Sequence, residues 1–230
     1  MTYLVDGQAA YVLHSRPYRD TSLLVDFFTL EHGKLSTVVQ GARRPKSKLR
    51  PVMQPFLPLQ ISWRGRQALK TLTLAESVET SLFLTGTALM CGLYVNELLA
   101  RLLPPLDAHP RLYVYYQYVL NELRTGNDIE GALRTFERRL LLELGYAPDL
   151  SHAQAQTLYL YTPDQGMQAV QQPVEANRKF CFYGWQLKAI DQDLYETPEV
   201  RQAAKRLMRL LIDHQLADRP LRSRELFQKR

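Results

Sequence analysis

Nine lysines and arginines follow one another between His32 and Ala75 with no aspartate or glutamate among them. They are Lys34, Arg43, Arg44, Lys46, Lys48, Arg50, Arg64, Arg66 and Lys70. Arg43, Arg44, Lys46, Lys48 and Arg50 crowd one segment beside Gly41, Pro45 and Pro51. Cationic heads at that density can follow a phosphate backbone without reading its bases. Single-strand binders add aromatic faces on which bases stack, each worth roughly 1–3 kcal/mol. Phe27, Phe28, Phe56 and Trp63 are interleaved with the cations. Strand alternation turns most such rings into a barrel core, so the charges, not the rings, are the functional expectation. A surface selected only for solubility mixes signs.

Other chemistries find less support. His14, His32, His109, His152 and His214 are scattered, and neither Cys91 nor Cys181 has a ligand neighbour at metal-binding spacing. No metal and no cofactor is expected. There is no phosphate-binding Gly-x-x-x-x-Gly-Lys-Ser/Thr loop and no Gly-x-Ser-x-Gly elbow. Asp20, Asp26 and Glu31 are close in sequence and offer a metal-dependent nuclease as a rival reading. Solvated carboxylates balancing Arg16 and Arg19 are the plainer one. A second kind of site lies later in the chain. Arg134 and Arg138 share a helical stretch with Phe136, Leu140 and Leu141, and Lys205 and Arg209 share another with Leu207 and Leu210. Basic groups rimming an apolar groove suit an acidic peptide tail, which leaves a protein adaptor as a third reading.

The elements that must position these residues are legible in outline. Residues 1–80 carry eleven Lys/Arg against six Asp/Glu, and the rest eighteen against seventeen, so the net charge of +6 sits almost wholly in the first third. That third reads as five short strands: Ala9–Ser15, Ser22–Leu30, Lys34–Gln40, Phe56–Arg64 and Leu69–Val78. Five strands joined by hairpins and one long basic loop predict a small closed barrel. An OB-fold has that count and size, and an SH3-like barrel is the competitor. After Thr80 the period becomes helical, with helices predicted over Thr85–Leu103, His109–Arg124, Asp128–Leu144 and Pro198–Leu216. Short β-like pieces appear at Leu158–Tyr161 and Met167–Val170. The fold class is therefore α+β: a β-barrel domain over 1–80 and a mainly helical domain over 81–230, with an irregular insert at about 147–183. Two distant cysteines fit a reducing cytosol. The first residues lack a basic segment followed by an apolar run, so no signal peptide is expected. The apolar stretch Leu82–Leu106 is too polar to span a membrane.

Six ordered pieces of the chain resemble the RecO family of recombination mediators. They are Ala10-Tyr11-Val12-Leu13-His14-Ser15-Arg16-Pro17-Tyr18 with Asp20-Thr21-Ser22; Gly41-Ala42-Arg43-Arg44 with Lys46-Ser47; Gln54-Pro55-Phe56; Leu93-Tyr94-Val95-Asn96-Glu97; Leu133-Arg134-Thr135-Phe136-Glu137 with Leu144-Gly145-Tyr146; and Leu221-Arg222-Ser223-Arg224-Glu225-Leu226-Phe227. The resemblance implies an N-terminal OB-fold and a helical remainder. It implies a non-enzymatic cytoplasmic protein, associated with the nucleoid during repair, that binds single- and double-stranded DNA and anneals complementary strands. It also implies help in loading RecA onto strands coated by single-strand-binding protein, with RecR and that protein's acidic C-terminal tail as partners. Arg43, Arg44, Lys46 and Lys48 would contact DNA, and Arg134 would lie near the tail. Many members of the family carry a four-cysteine zinc module after the third helix. Here residues 147–185 hold only Cys181, so zinc is not expected and the insert must hold itself together by packing.

Overall fold

The computed structural model describes residues 3–78, 83–173, 175–217 and 219–227. Strands β1 (Leu4–Tyr18), β2 (Ser22–Thr29), β3 (Gly33–Val39), β4 (Leu59–Arg64) and β5 (Leu69–Ser77) close into a barrel in the order β1-β2-β3-β5-β4. Every neighbouring pair is antiparallel except β3 and β5. This is the five-stranded closure of an OB-fold. Alternation fills the interior: Val25 and Phe27, Leu35 and Val39, and Leu59, Ile61 and Trp63 all belong to one buried cluster.

β1 is longer than its apolar run because it serves two partners. Leu4–Ala10 pairs with β4 and Ala10–Tyr18 with β2. Register shifts between Val5 and Gln8 and between Val12 and His14 let it bend around the barrel. Pro17 does not end the strand as Arg16-Pro17 suggested. There β1 is paired with β2 only, and a missing N–H is tolerated at a strand edge. β4 conversely begins at Leu59 and not at Phe56. Phe56 turns with φ +67°, and its ring ends 2.8 Å from where a Cβ on Gly92 would sit, so the helix is glycine there to admit it.

Helices α1 (Gly86–Leu102) and α2 (Pro110–Thr125) follow. By packing, the chain divides into one unit of Met1–Gly126 with Leu221–Arg230 and another of Asn127–Pro220. The two helices thus group with the barrel, whereas the boundary expected at 80 falls in 79–82, outside the described residues. Asn96 of α1 makes the joint. It is buried, and its amide donates to the carbonyls of Val12 and Leu13 at 3.2 Å each, where β1 is irregular. The Tyr116 hydroxyl of α2 donates to Asn96 Oδ1 at 2.7 Å. Around this knot, the rings of Tyr11 and Phe28 meet those of Tyr113 and Tyr116 at centroid distances of 5.0–6.0 Å. The α1–α2 connection is stitched to the β2–β3 turn by the Leu106 amide donating to Lys34 O at 2.8 Å. Gly33 has φ +61°, and a Cβ there would lie 1.7 Å from Asp107 O, so only glycine fits.

The last described segment, a 3-10 turn over Arg222–Phe227, returns to α1. Glu97 accepts from the Arg222 and Ser223 amides at 3.0 and 2.8 Å and from the Ser223 hydroxyl at 2.6 Å. Burial pushes this carboxyl upward, but the hydrogen bonds from Ser223 and Arg222, with Arg101 nearby, outweigh it and hold it below the ordinary carboxylate range.

The second unit holds α3 (Ile129–Glu143), β6 (Leu158–Thr162), β7 (Gly166–Val170), β8 (Cys181–Tyr183), α4 (Gly184–Asp191) and α5 (Pro198–Leu216). Its sheet runs β7-β6-β8. Asp128 caps α3 by accepting from Gly131 N at 3.0 Å and takes a two-pronged bond from Arg201 of α5. The stretch expected to be irregular, 147–183, carries this three-stranded sheet. Phe182 is fully buried there, and the Arg206 guanidinium lies 4.5 Å from its ring centroid while donating to Cys181 O at 2.7 Å.

Two outcomes follow for stability. Asn96→Ala removes the bonds to two buried carbonyls and the acceptor of the Tyr116 hydroxyl, and should cost about 2–4 kcal/mol in denaturant unfolding, against about 1 kcal/mol for Tyr116→Phe. For Glu97, folding lowers the carboxyl's pKa, so its contribution is present above the ordinary carboxylate value and lost as pH falls through the lowered one. Amide exchange at Ser223, corrected for its intrinsic rate, should accelerate on acidification. In Glu97→Gln it should already be fast at neutral pH and change little with acid.

Candidate nucleic-acid interface

The segment between β3 and β4 has two kinds of residue with two destinations. Ala42, Met53 and Leu57 enter the barrel core, and Leu49 and Val52 pack against it. With those anchors inside, Arg43, Arg44, Lys46, Lys48 and Arg50 are all left exposed. The backbone between them is ordered by its own turns: Arg44 N donates to Gly41 O, Ser47 N to Arg44 O, and Met53 N to Leu49 O at 3.0–3.1 Å. Gly41 supplies the left-handed residue, φ +68°, that starts the first turn.

Arg43 ties this loop to the β1–β2 turn. Its amide donates to Thr21 O at 2.9 Å, and its Nη1 reaches Arg19 O at 3.2 Å and Asp20 O at 3.4 Å. The tie brings in cations that the sequence had assigned to balancing carboxylates. Arg16 projects from β1, and Arg19, at φ +51°, holds its guanidinium 5.2 Å from the centroid of the Tyr18 ring. Loop and turn together form a positive end of the barrel, with Asp20 as the acidic residue of that turn.

The other nominated cations go elsewhere. Lys34 donates from Nζ to Ala100 O of α1 at 2.7 Å. Burial lowers its pKa, partly offset by Asp26. It serves as a staple between strand and helix. Lys70 is 5% exposed and donates to Arg66 O at 3.3 Å. Arg64 and Arg66 are exposed on the β4–β5 hairpin, but Arg64 stands opposite Leu4, at the other end of β1 from Tyr18. The run without an acidic residue is thus one group in sequence and two in space.

The nominated aromatics are all buried. Phe27 and Trp63 fill the barrel, Phe28 lies under Tyr113 and Tyr116, and Phe56 faces Gly92. Tyr18, half-buried beneath Arg19, is the ring at the positive end, and nothing in its spacing had marked it.

Of the arginines expected to rim a tail groove, Arg134 and Arg138 are buried. Arg134 pairs with Glu137 at 2.9 Å, and Arg138 with Asp191 and, at 3.8 Å, Asp193. Lys205 and Arg209 are exposed on α5, Arg209 within 3.8 Å of Asp213.

The nuclease carboxylates do not converge. Asp20 and Glu31 occupy the turns at opposite ends of β2, and Asp26, between them, accepts from the Ser36 hydroxyl. Among the described residues no three His, Cys, Asp or Glu side chains could share a metal ion, and no helix is long and apolar enough to cross a membrane.

Comparison with known proteins agrees with the barrel and the helices in turn. Residues 4–81 match the family model for the N-terminal region of recombination protein O, and residues 84–225 match that for its C-terminal region. The chain is 43% identical over 226 residues to the DNA repair protein RecO of Methylococcus capsulatus, covering 95% of this chain and 91% of the relative. It is 42% identical over 230 residues to its counterpart in Cellvibrio japonicus, covering 97% of each. It is 44% identical over 230 residues to that of Pseudomonas aeruginosa, covering 97% of this chain and 95% of the relative. An OB-fold carrying a basic loop, helices packed on it, and likeness along nearly the whole length converge on one answer: the chain belongs to the RecO family of DNA repair proteins.

Proposed function

We propose that this protein binds single- and double-stranded DNA without sequence preference through the basic end of its barrel, and speeds the pairing of complementary strands without making or breaking bonds. The observation that carries this reading is the division within the β3–β4 loop. Its apolar residues are sunk in the core while Arg43, Arg44, Lys46, Lys48 and Arg50 face water. Two complementary strands repel one another, and a fixed row of cations lowers that repulsion and raises their local concentration. Base edges are not needed, which suits phosphate contacts from arginine and lysine.

The family's role in repair supports placing the protein in the cytoplasm, at the nucleoid, assisting RecA loading on strands coated by single-strand-binding protein. RecR and the acidic tail of that coat protein are the proposed partners. Lys205 and Arg209 keep exposed cations for such a tail, whereas Arg134 and Arg138 support the fold beneath through their carboxylate partners. Tethering to coated strands would raise the effective concentration of the basic end where annealing is needed.

Replacing Arg43, Arg44, Lys46 and Lys48 by alanine should flatten the dependence of log Kobs on log salt by about 0.7 per cation for a single strand, about 3 in all. Fluorescence anisotropy of a labelled oligonucleotide across a salt series measures it, and an unchanged slope would refute the assignment. Lys34→Ala, by contrast, should leave the slope alone and lower the melting temperature, because its ammonium holds Ala100 O and not solvent.

A further inference from the structure

We infer that Tyr18 is the base-stacking residue of the basic end, the group by which it tells single strands from duplex; this rests on the DNA-binding reading above. The ring ends β1, half-buried, immediately before the turn to which Arg43 ties the basic loop. A ring held at its base by a strand, with only an exposed arginine side chain known to lie over its face, can offer that face to an unpaired base, and a paired base, stacked within a duplex, cannot reach it.

The turn is built to hold that platform. Arg19 has φ +51°, a left-handed conformation that costs a non-glycine residue free energy and persists only where surroundings impose it. The imposition is visible. Arg43 donates its amide to Thr21 O and its guanidinium to the carbonyls of Arg19 and Asp20, gripping three consecutive residues of the turn. The result lays one planar cation, the Arg19 guanidinium, over the Tyr18 ring at 5.2 Å. A guanidinium over an aromatic face is weak at an exposed site. It is also a stand-in for a base, which is planar and stacks on the same face. When a strand arrives, a base takes the position over Tyr18, and Arg19, exposed and one residue away, turns its charge to the adjoining phosphate. None of the rings singled out from the sequence is available, since Phe27, Phe28, Phe56 and Trp63 are buried.

Three probes of equal length separate stacking from charge: oligodeoxythymidylate, the same strand with abasic sugars, and a duplex. Wild-type protein should prefer the thymidylate strand over the abasic one by about tenfold, within the range of a single base–aromatic stack. Tyr18→Ala should erase that preference, leaving abasic and duplex affinities and the salt slope unchanged, and Tyr18→Phe should keep it. Circular dichroism and melting of both variants guard against a folding effect. Equal loss of all three probes in Tyr18→Ala, or no loss at all, overturns the inference. If wild-type protein binds all three with a steep salt slope but no base preference, stacking fails while the charge reading stands. If it binds none, both fail.

Discussion

One buried amide holds the first unit together. Asn96 offers two N–H donors and one carbonyl, and each is used: the donors by the carbonyls of Val12 and Leu13, the carbonyl by Tyr116. A barrel strand that breaks register must leave backbone groups without ladder partners, and buried carbonyls left so are costly. β1 breaks register there because it must bend to pair with β4 on one stretch and β2 on the next. The amide therefore answers a need created by barrel closure. In doing so it fixes both helices against the outside of β1 and β2. The ring cluster of Tyr11, Phe28, Tyr113 and Tyr116 then packs around a junction whose polar groups are already satisfied.

From that constraint the basic end follows. With one outer face of the barrel given over to α1 and α2, the long β3–β4 connection is secured from within, by side chains that enter the core. Like charges so close repel, and the free energy to keep them together comes from those apolar anchors and from Arg43's bonds to backbone oxygens. Using carbonyls to hold the loop, in place of carboxylates, leaves its positive charge uncancelled.

How much of this was legible in the sequence depends on the range of the interaction. Alternation in Val25–Phe27 and Ile61–Trp63 and the loss of period after Gly41 are local, and they disclose barrel, loop and inward-facing rings. The helix starting at Pro198 was marked by its proline, and its length by its apolar spacing. Lys34 and Lys70 look like their neighbours Arg43 and Lys46 because burial is decided by strands and helices distant in sequence. Lys34's acceptor is 66 residues away. Arg134 and Arg138 presented a basic helix face, but the carboxylates of Asp191 and Asp193, more than fifty residues on, neutralise the latter. β8 and α4 escaped notice because three and eight residues are too few for a period to show. Tyr18 was hidden by its place beside Pro17, a residue that ordinarily marks the end of a strand.

The return of Leu221–Phe227 to α1 makes the first unit discontinuous: the chain leaves it after Gly126 and re-enters it ninety-four residues later, at Leu221. During synthesis the barrel and its two helices emerge from the ribosome long before the segment that completes them, and until then Glu97 has water where Arg222 and Ser223 will be. The intervening unit has its full length outside the exit tunnel by that time and can fold as a closed loop of chain. The N-terminal unit is therefore completed only by a segment synthesised after the whole of the intervening unit.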